Sequence, residues 1–139
     1  MSRFDKLQSL LENGLSTDSH RVAIRFADQE ISFNELDLKM RRLAAGLEDQ
    51  GVKQGDRVAW FMPNCLEAVF TTLACYRIGA ISVPLNYRYL ADEACHVMQE
   101  MQPSLFVYHT DRTDVVSSLM GMVDLLPVFA VGKGAAADF

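Results

Sequence analysis

The chain has 139 residues, half of them hydrophobic and about a fifth charged, with a formal net charge of −5. That length and composition suit one globular domain able to bury roughly two thirds of its unfolded surface. The acidic balance excludes a duplex nucleic-acid binder, which needs a clustered basic face, and no uncharged run exceeds about ten residues, against the ~18 that a membrane span requires.

The first residues, Met1 to Lys6, include an acid at Asp5 and lack an apolar core of signal-peptide length, so a cytoplasmic protein is expected. Cys65, Cys75 and Cys95 fit a reducing compartment. They form neither a CxxC pair nor zinc spacing and read as packing residues. Cys65, close to a helix start, is the one whose thiol is expected to be acidified.

In chain order, Phe4, Leu7, Leu10 and Leu11 make one stripe of a short helix over Arg3–Asn13 that Gly14 closes. A polar loop is expected from Ser16 to His20. Val22, Ile24 and Phe26 alternate with Arg21, Ala23 and Arg25, as in a half-buried strand. Ala27-Asp28-Gln29 turns the chain and Glu30–Ser32 returns, which predicts a hairpin. Ser32-Phe33-Asn34-Glu35 fits a capping box, so a helix starts there and runs to about Asp49. Leu36, Met40, Leu43, Ala44 and Leu47 face inward, Lys39, Arg42, Glu48 and Asp49 face water, and Gly51 ends the helix. Lys39, Arg41 and Arg42 are the nearest approach to a basic cluster and read as a solvated helix face.

Arg57–Phe61 is a strand opened by a Gly55-Asp56 turn and broken at Met62-Pro63-Asn64, where Asn64 is a good cap. Cys65–Ile78 carries apolar residues on nearly every side and predicts a helix covered on more than one face, closed by Gly79. Ile81-Ser82-Val83 is the next strand and Pro84 stops it, giving a parallel βαβ unit. Tyr87–Ala91 connects to a helix over Asp92–Gln102, which Pro103 stops; Asp92 and Glu93 stand at its positive end. A strand over Leu105–Tyr108, a helix over Asp111–Val123 capped by Thr110-Asp111, and a strand over Leu126–Val131 follow. This alternation predicts an α/β fold: an open, mostly parallel sheet with helices on both faces, preceded by an N-terminal helix and a β-hairpin. The hairpin and helix occupy 21–50, the βαβ core 55–131, and a featureless tail 132–139.

Few residues point to chemistry. Gly132-Lys133-Gly134-Ala135-Ala136-Ala137 matches G-x-G-x-x-A after a strand, but the dinucleotide fingerprint also needs a following helix and an acid some 20 residues on. Met62-Pro63-Asn64-Cys65 lies where ligands enter open α/β sheets, yet it has no glycine for a phosphate to approach and reads as a strand-to-helix turn. His20, His96 and His109 fall on different elements without metal-ligand spacing; His109 stands near Asp111 and Asp114. Arg88 is a candidate for an anionic group, or else a surface ion pair or helix-end contact. No nucleophile sits in a G-x-S-x-G setting.

Gly51-Val52, Gly55-Asp56-Arg57-Val58-Ala59, Pro63-Asn64, Gly79-Ala80 and Val83-Pro84-Leu85-Asn86 together resemble the N-terminal region of adenylate-forming (AMP-binding) enzymes of the acyl-CoA synthetase type. Ile31-Ser32-Phe33-Asn34-Glu35-Leu36 resembles that family's first core motif, and the resemblance covers about residues 2 to 131. It departs at Leu90, where the family usually places a serine or threonine helix cap. It implies a scaffold piece of a longer ATP-dependent carboxylate–CoA ligase, ending before the Ser/Thr/Gly-rich phosphate loop. ATP, Mg²⁺, coenzyme A and a carboxylic acid are then expected for the whole enzyme. No catalytic, cofactor-binding or metal residue, and no activity, is expected of this stretch. The family's phosphate loop, aromatic-acid motif, ribose-binding aspartate and C-terminal lysine have no counterpart among these residues. Self-association through a surface meant for the remainder of its own chain is expected. The rival reading is a stand-alone α/β binding or interaction module without catalysis.

Overall fold

The computed structural model describes residues 3–135; within its first helix the side chains of 3–8, 10 and 11 lie outside the description, and with them the predicted stripe of Phe4, Leu7, Leu10 and Leu11. Five helices and six strands follow in order: α1 (Arg3–Asp18), β1 (Val22–Phe26), β2 (Gln29–Ser32), α2 (Phe33–Asp49), β3 (Arg57–Phe61), α3 (Leu66–Ile78), β4 (Ile81–Pro84), α4 (Ala91–Met101), β5 (Leu105–His109), α5 (Thr113–Met120) and β6 (Val128–Val131). A 3₁₀ turn over Thr110–Arg112 links β5 to α5. β1 and β2 form the antiparallel hairpin, and the other four strands form a parallel sheet in the order β4-β3-β5-β6. The predicted fold class holds.

Alternation along the central strands places the core on both sides of the sheet. Val58, Leu105, Val107 and Val131 pack with Leu43, Ala44, Leu47, Ala74 and Cys75 on the α2–α3 side. Ala59, Phe61, Phe106 and Val83 pack with Ala94, Cys95, Met98, Val116 and Leu119 on the α4–α5 side. A third cluster, Ile31, Leu36, Met40 and Leu66, seats the hairpin on α2 and α3, with Ala23 and Ile24 against it. On β3 the Trp60 indole N–H donates to Ser82 Oγ at 2.8 Å, across to β4. At the amino end of the sheet, the Arg57 guanidinium donates to the Met101 carbonyl at the close of α4.

The capping box forms as predicted. The Ser32 hydroxyl accepts the Glu35 N–H at 3.3 Å, while the Glu35 carboxylate accepts the Ser32 N–H at 2.8 Å. The Ser32 N–H and then its hydroxyl hold the Glu35 carboxyl below its ordinary pKa. That contribution to stability is present above the ordinary carboxylate range and is lost as pH falls through the lowered value. Replacing the cap, Ser32→Ala, is expected to cost about 1 kcal/mol, read as a lower urea midpoint at unchanged slope. The predicted inner face of α2 is the observed one, Leu36, Met40, Leu43, Ala44 and Leu47. Gly79 closes α3 at φ +74°, in the left-handed region that favours glycine.

Several boundaries differ from the sequence reading, each for a local reason. Gly14 does not close α1. The helix continues to Asp18, Gly14 is buried, and a Cβ there would overlap the Phe33 ring. The glycine serves close approach, and the loop expected from Ser16 begins only after Asp18; Ser16 and Thr17 hydroxyls donate back to the Asn13 carbonyl at 3.1 and 2.7 Å. A register shift between Val22 and Ile24 breaks the alternation of β1, so Ala23 and Ile24 both touch the core while Phe26 is exposed. Cys65, not Asn64, is the N-cap residue of α3, in extended conformation and without a side-chain cap bond. Leu90 offers no cap acceptor, but Glu93 accepts its N–H at 2.9 Å and supplies half a capping box. α5 stops at Met120, short of Val123; Ser117 and Ser118 turn their hydroxyls back onto the Thr113 and Asp114 carbonyls, and Gly121 is its C-cap. β6 starts at Val128 because Pro127 has no N–H for a ladder.

Candidate functional site

In an open parallel sheet the strand-to-helix loops gather at the carboxyl edge, where such folds admit ligands. Here that edge is built by 62–65 after β3, 85–90 after β4, 110–112 after β5 and 132–135 after β6. A shallow cavity of about 330 Å³ opens between the first two loops, with Trp60, Pro63, Asn64, Asn86, Tyr87 and Arg88 on its wall. Arg88 is exposed, and its N–H donates to Asn86 Oδ1 at 3.0 Å, a local turn that fixes the loop. The structure thus brings Arg88 to the same cavity as Asn64 and gives it neither the ion pair nor the helix-end contact considered above, among the described contacts.

The residue that organises this edge is Arg112, which sequence reasoning passed over. Its Nη2 donates to the Tyr89 carbonyl at 2.6 Å. Its guanidinium lies 5.2 Å from the Phe61 ring centroid and 5.4 Å from that of Tyr87. Phe61 and Tyr87 meet each other at 6.1 Å. One cation therefore ties together the exits of β3, β4 and β5, and its buried Nε is without a partner. The available signal was an arginine in the turn after a strand, in a chain with aromatics at the two neighbouring strand ends.

His109 ends β5 half-buried, with Nδ1 3.2 Å from the Asp111 N–H, which it accepts, and equally close to that residue's carboxylate. Gly132, at φ +100°, lies against it: a Cβ would stand 2.7 Å from His109 Nε2 and 2.8 Å from Thr110 Oγ1. His20 and His96 are exposed and distant; His96 Nε2 lies 4.0 Å from Glu100 on its own helix. The three histidines are not brought together, and among the described residues no trio of His, Cys, Asp or Glu is placed to hold a metal. Gly132 to Ala135 forms a turn, not a helix start; Ala136 and Ala137 of the glycine-rich match lie outside the described residues.

Phosphate does not suit this edge. The helices that begin there carry acids in their first turns, Glu67 on α3, Asp92 and Glu93 on α4, and Asp114 on α5. Those carboxylates occupy the positive helix ends that would otherwise attract an anion. The residues described at this edge do not fit a nucleotide triphosphate.

The cysteines are unpaired. The expected acidification of Cys65 is reversed, because burial pushes its thiol up to about 11; burial pushes Cys75 up to about 12. Alkylation of both by iodoacetamide is expected to be slow at pH 8 in the folded chain, to accelerate above pH 10, and to become fast at pH 8 on unfolding in guanidinium. Both thiols favour the folded state while neutral, so their contribution is lost as pH rises from the unfolded thiol's range through these values.

Known proteins supply the remaining findings. A family model described as AMP-binding enzyme matches residues 11–131. The 3-oxocholest-4-en-26-oate–CoA ligase of Rhodococcus rhodochrous is 28% identical over 134 residues, covering 96% of this chain and 24% of that protein. A feruloyl-CoA synthase of Amycolatopsis sp. is 34% identical over 100 residues, 72% of this chain and 20% of its own length. Among solved structures, a proposed long-chain-fatty-acid CoA ligase from Rhodopseudomonas palustris superposes with a TM-score of 0.87 at 31% identity, covering 94% of this chain and 33% of that one. The chain spans about a quarter or less of the length of these two sequence relatives. No helix among the described residues is long and apolar enough to cross a membrane.

Proposed function

Because this chain belongs to the AMP-binding enzyme family, we propose that it supplies the structural frame of an ATP-dependent carboxylate–CoA ligase, which activates an acid as its acyl-adenylate and passes the acyl group to coenzyme A. The observation that carries this reading is the match over 11–131 combined with the superposition over 94% of the chain. The names of the relatives support a frame rather than a pocket. One concerns 3-oxocholest-4-en-26-oate and another a feruloyl group, yet this one stretch matches both. Acid choice, ATP, Mg²⁺ and coenzyme A contacts then fall to parts of the relatives' length that this stretch does not span. Residues 1–139 belong to one N-terminal subdomain of that enzyme, with the hairpin and helix at 21–50 and the βαβ core at 55–131.

The test is a chimera. Residues 11–131 replace the corresponding stretch of the Amycolatopsis feruloyl-CoA synthase, and formation of feruloyl-CoA is measured. A folded chimera that retains the reaction supports the frame; a folded chimera without it overturns the assignment. A second measurement concerns the 139-residue chain by itself. It is expected to release no pyrophosphate from ATP with a panel of carboxylic acids, and release above background would assign catalysis to residues given none here.

A further inference from the structure

The exits of the four parallel strands touch one another in a row. β6 leaves the sheet at Gly132, whose φ of +100° lies in the region that favours glycine. There the backbone passes so close to the end of β5 that a Cβ would stand 2.7 Å from His109 Nε2. The other ring nitrogen, Nδ1, accepts the Asp111 N–H at 3.2 Å and so caps the 3₁₀ turn Thr110–Arg112. Thr113 closes the far end of that turn, its N–H and its hydroxyl both donating to the Thr110 carbonyl. Arg112 directly follows the capped amide. Its guanidinium holds the Tyr89 carbonyl and faces the rings of Tyr87 and Phe61, at the exits of β4 and β3.

We propose that this row is a conformational relay, in which the path of the chain leaving β6 is passed through the His109 ring and the turn Thr110–Arg112 to the 85–90 loop. The imidazole is rigid and planar, with its two nitrogens against different partners. A movement of Gly132 that presses on Nε2 turns the ring as one piece and draws Nδ1 off the Asp111 N–H. That bond already stands at the long end of the hydrogen-bonding range, so a displacement of about 0.5 Å breaks it. The uncapped turn then loosens around Arg112, and the loop that Arg112 anchors loses its tie. Leu85, Asn86, Tyr87 and Arg88 line the carboxyl-edge cavity, so the wall of that cavity answers to the direction taken past β6. Glycine leaves the relay at rest, because without a Cβ the backbone lies against the ring and does not push it. The coupling is independent of the ligase reading.

Amide hydrogen exchange on the full chain tests it. The reporters are the Arg88 and Tyr89 amides, which donate to Asn86 Oδ1 at 3.0 Å and to the Asn86 carbonyl at 2.9 Å. Gly132→Ala sets a Cβ against the ring. Exchange at both reporters is expected to rise about tenfold beyond what the loss of global stability predicts. With His109→Ala already in place the same substitution meets no ring, and it is expected to add less than about twofold; Arg112→Ala should silence it equally. If Gly132→Ala fails to fold, Gly132→Asn keeps the Cβ on a residue that tolerates positive φ and is read in the same way. His109→Ala by itself uncaps the turn and is expected to speed both reporters without any change at Gly132. Three results would each overturn the proposal: reporters that follow global stability alone in a folded Gly132 variant, a response undiminished once His109 or Arg112 is removed, or reporters unmoved by His109→Ala.

Discussion

Phe106→Ala is expected to lower the unfolding free energy by about 3–5 kcal/mol, the range for emptying a fully buried aromatic site. A domain has only about 5–15 kcal/mol in all. Phe106 is fully buried on a central strand. It lies between Ala59 of β3 and Val128 of β6 in register, and its ring lies 6.2 Å from that of Tyr108 on the same face. Ala94, Cys95 and Leu119, buried in the same cluster, are held by their helices and cannot collapse into the space. Urea unfolding followed by circular dichroism measures the effect as a fall in midpoint at constant slope. A loss under about 1 kcal/mol would mean that α4 and α5 close the cavity, and that their packing on this face is looser than described.

The second large effect is expected at Arg112. Arg112→Ala removes a charge-assisted bond to the Tyr89 carbonyl, of about 1.5–3 kcal/mol, and two cation–π contacts of about 0.5–1 kcal/mol each. Part of that is returned, because the unpartnered Nε disappears as well. The net expected loss is about 2–3 kcal/mol. Its signature is local. Amide exchange across 85–90 should speed more than the global stability loss predicts, since those residues lose their tie to the end of β5. Arg112→Lys keeps the charge without the planar fork and should fall between the two. Uniform acceleration across the sheet would contradict the tie.

These two residues mark how far the sequence could be read. Phe106 was visible as the centre of an apolar strand, and the inner face of α2 and the Ser32–Glu35 box were visible because each depends on neighbours a few residues apart. Gly79 was visible for the same reason, since a helix end that needs positive φ prefers glycine whatever lies around it. Gly14 was misread because its reason is Phe33, 19 positions away, and a glycine in sequence does not reveal whether it serves a turn or a close approach. Arg112 was missed because its partners come from the ends of two other strands. Cys65 was misjudged because burial, which the local sequence does not show, outweighs the lowering that the Ala68 and Glu67 amides at the helix start exert on its thiol. The loop after β3 was placed at the carboxyl edge, yet the acids in the first turns of α3, α4 and α5 took on meaning only once those helices, on the two faces of the sheet, were seen to begin at that same edge.

The bond from Trp60 to Ser82 gives the chain an optical reporter. Trp60 is its single tryptophan. Its indole is half-buried, bonded across the β3–β4 ladder, with the Ser82 hydroxyl 3.3 Å from Thr72 of α3. Emission therefore arises from one place, where two strands and a helix meet, and wavelength shifts belong to that junction alone. Agreement between its unfolding curve and that of the backbone signal would mark a single cooperative unit, while an earlier red shift would mean that β4 detaches before the rest of the sheet opens.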